Sequence, residues 1–488
     1  MWHMVIHIIK PYYDKGLKLG SHVGQRLVCC PTFRRWTDAL GQRTGYRLDG
    51  LGRIQGITHP DGSREQFVWN EQGLLGTHTD TARQSQYWHY TVRGQIKSHT
   101  DASGKTTQAQ YNPRQQLSAL TLTKGTAQHQ FIWDASGRLQ AEKQPDGVEK
   151  HLHYNTQGWL VQRDIIGFNE KGSLEKPPVR SIQYCYDADG RLTNQQNLTS
   201  SLHYSYNSLG QLDTATRTPT SAGMELGLGI HNLRFEFDKL GRLIHEAGDN
   251  GELYWAWDGL SNLQSLTLPQ GQQVGYQRYG SGHVHGMAFD GVDILNFERD
   301  DLHREVLRTQ GQHTSKRAYD KRGRVSRQRA IMRTAGESEK ILVGRDYHYN
   351  PAGELERIND NVRGESQYDY DPAGRFTGYY QTGKNAASEH FAWDAADNLL
   401  PSRGQGEALA TPAIQGNRLL HTLLARAGNK TPLSFQYDYD AFGRVVVKNP
   451  GLESRMRENR PYGSEGGKAR AFPTPIGHGR YPAGCTSA

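Results

Sequence analysis

The 488-residue sequence predicts an all-β fold: an array of stacked antiparallel β-hairpins joined into one curved or spiralling sheet. Three observations predict it. A short motif recurs with a period of about 21 residues. A second turn signal sits midway between many of its copies. Between the turns, polarity alternates residue by residue, and helical periodicity is hard to find.

The motif reads aromatic, Asp or Asn, two variable residues, Gly, often Arg, then an aliphatic residue. The strongest copies are Trp133-Asp134 to Gly137-Arg138-Leu139, Tyr186-Asp187 to Gly190-Arg191-Leu192 and Phe237-Asp238 to Gly241-Arg242-Leu243. Tyr319-Asp320 to Gly323-Arg324-Val325, Tyr370-Asp371 to Gly374-Arg375-Phe376 and Tyr439-Asp440 to Gly443-Arg444-Val445 follow the same rule. Weaker copies start at Leu48, Trp69, Tyr90, Tyr111, Tyr154, Tyr206, Trp257, Tyr349 and Trp393, and drifting ones lie around Tyr279 and Gly416. Leu48, Trp69, Tyr90 and Tyr111 stand 21 residues apart, as do Tyr349 and Tyr370. Longer intervals, near 30 residues, coincide with inserted loops at Glu170–Arg180 and Arg217–Gly229, and the drifting copies fill the two widest gaps.

Each part of the unit has a physical task. Asp or Asn hydrogen-bonds the backbone ahead of it, and Gly adopts positive φ without steric cost, so the step is a turn. The aliphatic residue after Arg opens the next strand. The aromatic before Asp closes the previous strand and packs along the array. Midway turns such as His59-Pro60-Asp61-Gly62, Asp101-Ala102-Ser103-Gly104 and Pro145-Asp146-Gly147 divide the unit into two strands, a hairpin. Arg64 to Trp69 and Leu202 to Tyr206 alternate as strands do. One hairpin cannot bury its face alone, so units must stack edge to edge, which also pairs strand edges that would otherwise aggregate.

Composition agrees with a thin sheet. Apolar residues make up 35% and aromatics 10%, with 55 Gly, 25 Tyr and 9 Trp, and mean hydropathy is −0.78. So polar a chain could be disordered, but disordered chains are poor in aromatics. The net charge of +8 comes from 58 basic and 50 acidic residues that are interspersed. Nucleic-acid binding is not expected, because such a footprint clusters on one face. Cys29, Cys30, Cys185 and Cys485 match no zinc-site or disulfide framework, and reduced thiols are the simplest reading. No apolar span is long enough to cross a bilayer. The opening Met1–Lys10 lacks a basic leader and a cleavage site, so no signal peptide is expected.

Candidate chemistry is sparse. His151 and His153, and again His283 and His285, are spaced to share a strand face and could ligate a metal. With 21 histidines, period-two pairs also arise by accident, and no metal or cofactor is expected. Gly280-Ser281-Gly282 lacks the strand-to-helix context of a phosphate loop. Asp300 and Asp301 are chain neighbours, read as a solvated loop rather than flanking catalytic carboxylates. No catalytic residue is assigned. The residues singled out are repeat anchors: the aromatic, Asp and Gly of the six strongest copies.

These motifs resemble the YD repeats of the Rhs family, also found in toxin-complex subunits and teneurins. The resemblance runs from Trp36 to Lys448. It implies part of a hollow shell that encloses a C-terminal toxin cargo, with export by secretion machinery. The chain departs from the family pattern at its ends: no Asp-Pro-x-Gly closing segment follows Lys448, and Asp371-Pro372-Ala373-Gly374 belongs to an ordinary repeat. The organisation expected is an irregular segment over 1–35, the repeat array over 36–450, and a disordered tail rich in Gly, Pro and Arg over 451–488, read as truncation, recombination or a frame change, with a genuine flexible tail as the alternative. The functional expectation is a non-enzymatic encapsulating scaffold, cytoplasmic before export and secreted or surface-bound afterwards. The alternatives are a surface module binding glycans or a partner protein through the inserted loops, and a truncated remnant without function.

Overall fold

The computed structural model describes residues 33–450, apart from 123–126, 168–178, 281, 333–339, 384–385, 395–396, 405–406, 409–412, 416–417, 425–432, 440–441 and 443. The segments expected at 1–32 and 451–488 lie outside the described residues, as do Asp440 and Gly443 of the last strong copy and the drifting copy at Gly416.

Among the described residues the chain forms 38 strands, β1 (Phe33–Thr37) to β38 (Val445–Pro450) in order along the sequence. Every pairing is antiparallel and joins strands adjacent in sequence, as β1 with β2 (Arg43–Leu48) and that strand with β3 (Ile54–Thr58). The first 34 strands make one continuous meander ending at Glu407–Ala408, and the last four, from Ala413, make a second sheet. All contacts inside the ladder are therefore local. The described array starts at Phe33, three residues before the first aromatic of the family resemblance. Among the described residues one helix, α1 (Ser221–Glu225), stands inside the inserted loop expected at Arg217–Gly229; Thr220 caps it by accepting from the Gly223 N–H. The strand before it extends to Pro219, so the insertion lengthens the hairpin before it leaves the sheet.

The turns show why these residues repeat. In the Asp134 turn, the Asp134 N–H donates to Arg138 O at 2.8 Å and the Gly137 N–H to Asp134 O at 3.1 Å. Gly137 sits at φ +85° and pairing shifts register between Ile132 and Trp133. This is a three-residue hairpin loop, a type I turn closed by a left-handed residue and a bulge. The same backbone pattern recurs at Asp49, Asn70, Asn112, Asn155, Asp187, Asn207, Asp238, Asp258, Asp320, Asn350 and Asp371. The midway turns at His59, Asp80, Asp101 and Gln144 use it too.

The sheet is a single layer. The buried apolar side chains among the described residues include Leu48, Phe67, Trp88, Ala119 and Ala141, spread thinly along the ribbon rather than gathered in one core. Cys185 is disulfide-bonded, which corrects the expectation of reduced thiols there; the other three cysteines lie outside the described residues. Cysteine pairing follows closeness in space, which spacing along the chain does not report.

Candidate functional site

The side chains of the motif form one device, repeated. The Asp carboxylate uses both oxygens. Asp134 Oδ1 accepts from the Arg138 N–H at 2.8 Å and Oδ2 from Arg138 Nε at 2.7 Å. The Arg138 backbone N–H and guanidinium hold the Asp134 carboxyl below the usual carboxylate range. Asp187–Arg191, Asp238–Arg242, Asp320–Arg324 and Asp371–Arg375 repeat the fork at 2.6–2.8 Å. The guanidinium then reaches the aromatic ring of the next unit: Arg138 lies 4.7 Å from the Tyr154 ring centre, Arg304 4.3 Å from Tyr319 and Arg324 4.3 Å from Tyr349.

The ring has a polar tip with its own task. Tyr111 donates its hydroxyl to Ile96 O at 2.8 Å, Trp133 its indole N–H to Leu117 O at 2.8 Å, and Tyr154 its hydroxyl to Leu139 O at 2.9 Å. Tyr186, Tyr206, Tyr319, Tyr349 and Tyr370 do the same to the first strand residue of the unit before. Each ring therefore pins its unit to its predecessor through a carbonyl. This accounts for Tyr and Trp outnumbering Phe at the position. Phe237 is the exception among the strong copies: its ring has no donor.

Two further units fill the same place with arginine. Arg278 donates to Leu263 O at 3.3 Å, and Arg299 to Val284 O at 3.1 Å. In the second of these, Asp300 accepts from Leu302 N and Arg304 N, and its other oxygen from Arg304 Nε at 2.8 Å. Asp300 is thus a repeat turn residue, not a solvated loop. His303 takes the Gly position there at φ +60°. Sequence reasoning missed this copy because neither its aromatic nor its Gly is present; the surviving signal was Asp300 followed four residues later by Arg304.

The ribbon also meets itself. The midway turn between β3 and β4 (Arg64–Trp69) faces the motif turn between β26 (His313–Tyr319) and β27 (Val325–Met332): Asp61 Oδ2 lies 3.8 Å from Arg322 Nε. The turn between β5 (Leu75–Thr79) and β6 (Ser85–Tyr90) faces that between β28 (Lys340–Tyr349) and β29 (Leu355–Asp360), where Thr81 Oγ1 donates to Pro351 O at 2.5 Å. The turn between β7 (Ile96–Thr100) and β8 (Thr106–Tyr111) faces that between β30 (Gly364–Tyr370) and β31 (Phe376–Gln381), where Arg375 Nη2 donates to Ser103 Oγ at 3.2 Å. The step is 23 strands in all three cases. Lys105 adds donations to the carbonyls of Trp393 and Asp394, and burial pushes its ammonium down from the ordinary value. So the ribbon winds into a coil. The motif-turn edge of the later winding seats on the midway-turn edge of the earlier one, through polar contacts.

The residues considered for chemistry are engaged separately. His151 Nε2 lies 2.9 Å from Glu149, and His153 Nε2 3.0 Å from Asp164. His283 stacks on His303 at 3.9 Å, and His285 packs on Tyr279. Among the described residues no group of three or more His, Cys, Asp or Glu is arranged to hold a metal ion. No helix there is long and apolar enough to cross a membrane, a statement that does not bear on strands. An open cavity of about 500 Å³ lies beside Arg329, Asp346 and Asp360, but these three are committed to ion pairs: Arg329 with Asp346 at 2.8 Å, Asp360 with Arg345 at 2.7 Å. One acid–histidine cluster stands out. Glu65 bridges His59 at 2.6 Å and the buried His78 at 2.9 Å, and these bonds, His59's first, hold its carboxyl down at about 2.

The RHS Repeat family model matches residues 34–64. The chain is 34% identical over 426 residues to double-stranded DNA deaminase toxin A of Burkholderia cenocepacia, an alignment covering 86% of this chain and 28% of that protein. It is 28% identical over 310 residues to toxin protein Tse5 of Pseudomonas aeruginosa, covering 58% of this chain and 21% of that one. The chain thus spans about a quarter of the length of these relatives. Among solved structures, the Tc holotoxin pore of Photorhabdus luminescens shares the fold, with a TM-score of 0.50 and 11% identity over 83% of this chain and 25% of that one. With the motif, the winding ribbon and these relatives in agreement, the chain belongs to the Rhs family of YD-repeat proteins.

Proposed function

We propose that the chain is a wall segment of an Rhs-type toxin shell, a scaffold that encloses a cargo polypeptide mechanically and performs no catalysis of its own. The observation that carries this reading is the constant 23-strand step of the winding. At about 4.8 Å per strand, 23 strands span about 110 Å. Closed as a ring, that perimeter gives a diameter of about 35 Å, and a single sheet layer about 10 Å thick leaves a lumen of about 25 Å. A lumen of that width holds an extended or loosely folded chain. The toxin relatives support a cargo and an export route; the deaminase activity named for one of them would reside in the part of that protein that this chain does not span.

The test is protease protection. An unstructured reporter peptide fused after Ala488 should survive protease much longer than the same peptide fused to a solid folded control. The double charge reversal Arg322→Glu and Arg375→Glu, which opens the coil contacts, should remove that protection. A reporter cut as fast on the native array as on the control would reject enclosure.

A further inference from the structure

Two kinds of bond hold the coil. Along the ribbon, neighbouring strands are joined through their backbones. Between windings, among the described residues, no backbone-to-backbone hydrogen bond crosses, and each contact uses a side chain at a turn tip. The seam is therefore the weaker line, because ion pairs near solvent contribute little and are screened by salt.

One turn at the seam breaks the rule of the repeat. Three successive motif turns of the later winding carry Gly323, Gly353 and Gly374 at the left-handed position, and the fourth carries Asp397 at φ +62°. Asp tolerates this conformation better than most residues, but glycine adopts it without strain. The Asp397 carboxylate is spent on two cations. It accepts from Arg375 Nη1, and it lies 3.9 Å from Lys105 Nζ across the seam. Lys105 reaches out of the earlier winding into this turn, donating to Trp393 O at 3.3 Å and to Asp394 O. Arg375 is bound to Asp371 in the usual fork and donates to Ser103, close to Lys105 in the chain. Two cations, 20% and 15% exposed, thus meet in one notch. Burial first, and the Arg375 charge second, hold the Lys105 ammonium below its ordinary value, so the like charges oppose each other there. Asp397 is the carboxylate within ion-pair distance of both.

We propose that Asp397 is the latch of the seam: it holds Lys105 and Arg375 together across the windings, and without it the windings part at this turn while the strands stay paired. A strained backbone is accepted there because it places a carboxylate where the two cations converge. Such a latch gives the wall a lateral opening that rising ionic strength releases. The inference rests on the coiled winding, which the proposed shell also uses, and not on a cargo.

Asp397→Gly separates the latch from the turn. Glycine is the residue this position usually holds, so the ladder keeps or gains stability while the carboxylate is lost. Spin labels at Ala102→Cys and Ala373→Cys, on the full chain with its 4 native cysteines replaced by serine, read the seam by pulsed electron resonance. Hydrogen exchange of Thr106–Tyr111 and Gly364–Tyr370 reads the ladder. With Asp397 in place, a short distance should dominate at low salt and fade towards about 1 M, where screening acts within about 3 Å. In Asp397→Gly the open fraction at low salt should rise about five- to tenfold, with exchange unchanged or slower. Adding Lys105→Gln, which removes the repulsion, should recover part of the short distance. An Asp397→Gly chain as closed as its parent would overturn the latch. So would opening accompanied by faster exchange, which would make Asp397 a structural turn residue, or a double variant more open than the single one. A parent with no short distance would overturn the coil and the latch together, whereas loss of reporter protection with this distance intact would reject enclosure alone.

Discussion

The stretch from Arg43 to Tyr154 and the stretch from Leu243 to Tyr319 make the same ribbon from different residues. In the first, Trp69, Tyr90, Tyr111, Trp133 and Tyr154 all reach a carbonyl of the preceding unit through a ring tip. In the second, Arg278 and Arg299 stand in the aromatic position; Ser261 and His303 adopt the left-handed conformation that Gly usually supplies, as Arg83 and Gln115 do in the first. Strand pairing is continuous through both. What most units share is a long side chain with a donor at its end, placed where the strand stops; Leu48 and Phe237 hold the place by packing alone. The aromatic ring is the usual way of supplying that donor, and the guanidinium is another.

The contrast can be broken most forcefully at the ring. Trp257→Ala removes a large half-buried side chain, its bond to Leu243 O at 2.7 Å and the surface under Arg242; we expect a loss of about 2–4 kcal/mol in local stability. Arg299→Ala should lose only about 1 kcal/mol, and Arg299→Tyr should recover most of it. Native-state hydrogen exchange of the flanking strands reads both, and an Arg299→Tyr chain no better than Arg299→Ala would show that the arginine is not a substitute for the ring. The turn residue gives a smaller effect that differs between the two regions. Gly137→Ala, at φ +85°, should cost about 1–2 kcal/mol, whereas His303→Gly should be tolerated at the same turn position. The hydroxyl alone gives the next step down. Tyr111→Phe should cost about 1 kcal/mol, and Phe237→Tyr should gain a similar amount if its new hydroxyl reaches Leu212 O.

Acid sharpens the comparison within the regular region. Glu65 titrates near 4.5 in an ordinary setting and at about 2 in the fold, so its contribution is complete above 4.5 and is lost as pH falls through about 2. Hydrogen-exchange protection around Phe67 and His78 should fall across that window, and Glu65→Gln should flatten the dependence. An unchanged profile in that variant would assign the acid sensitivity elsewhere.

Much of this was legible before the fold was known, for a reason that can be named. A type I turn closed by a left-handed residue accepts few residue types, so Asp134 and Gly137 announce it locally, and the period then implies the ribbon. Arg278 and Arg299 were not legible, because an arginine among 58 basic residues carries no mark of the donor role it plays. Nor was the contact between Asp61 and Arg322. It depends on curvature accumulated over 23 strands, and no single repeat encodes that sum. The Cys185 disulfide is of the same kind.

The central claim is that the ribbon coils back on itself every 23 strands. Spin labels at cysteines introduced by Ser103→Cys and Ala373→Cys, in a chain whose 4 native cysteines are replaced by serine, test it by pulsed electron resonance. A coiled ribbon places the pair within about 25 Å, allowing for label length, whereas an extended one separates them by about 110 Å, the sheet repeat multiplied out. A distribution centred below about 30 Å agrees with the coil; the absence of any short component contradicts it.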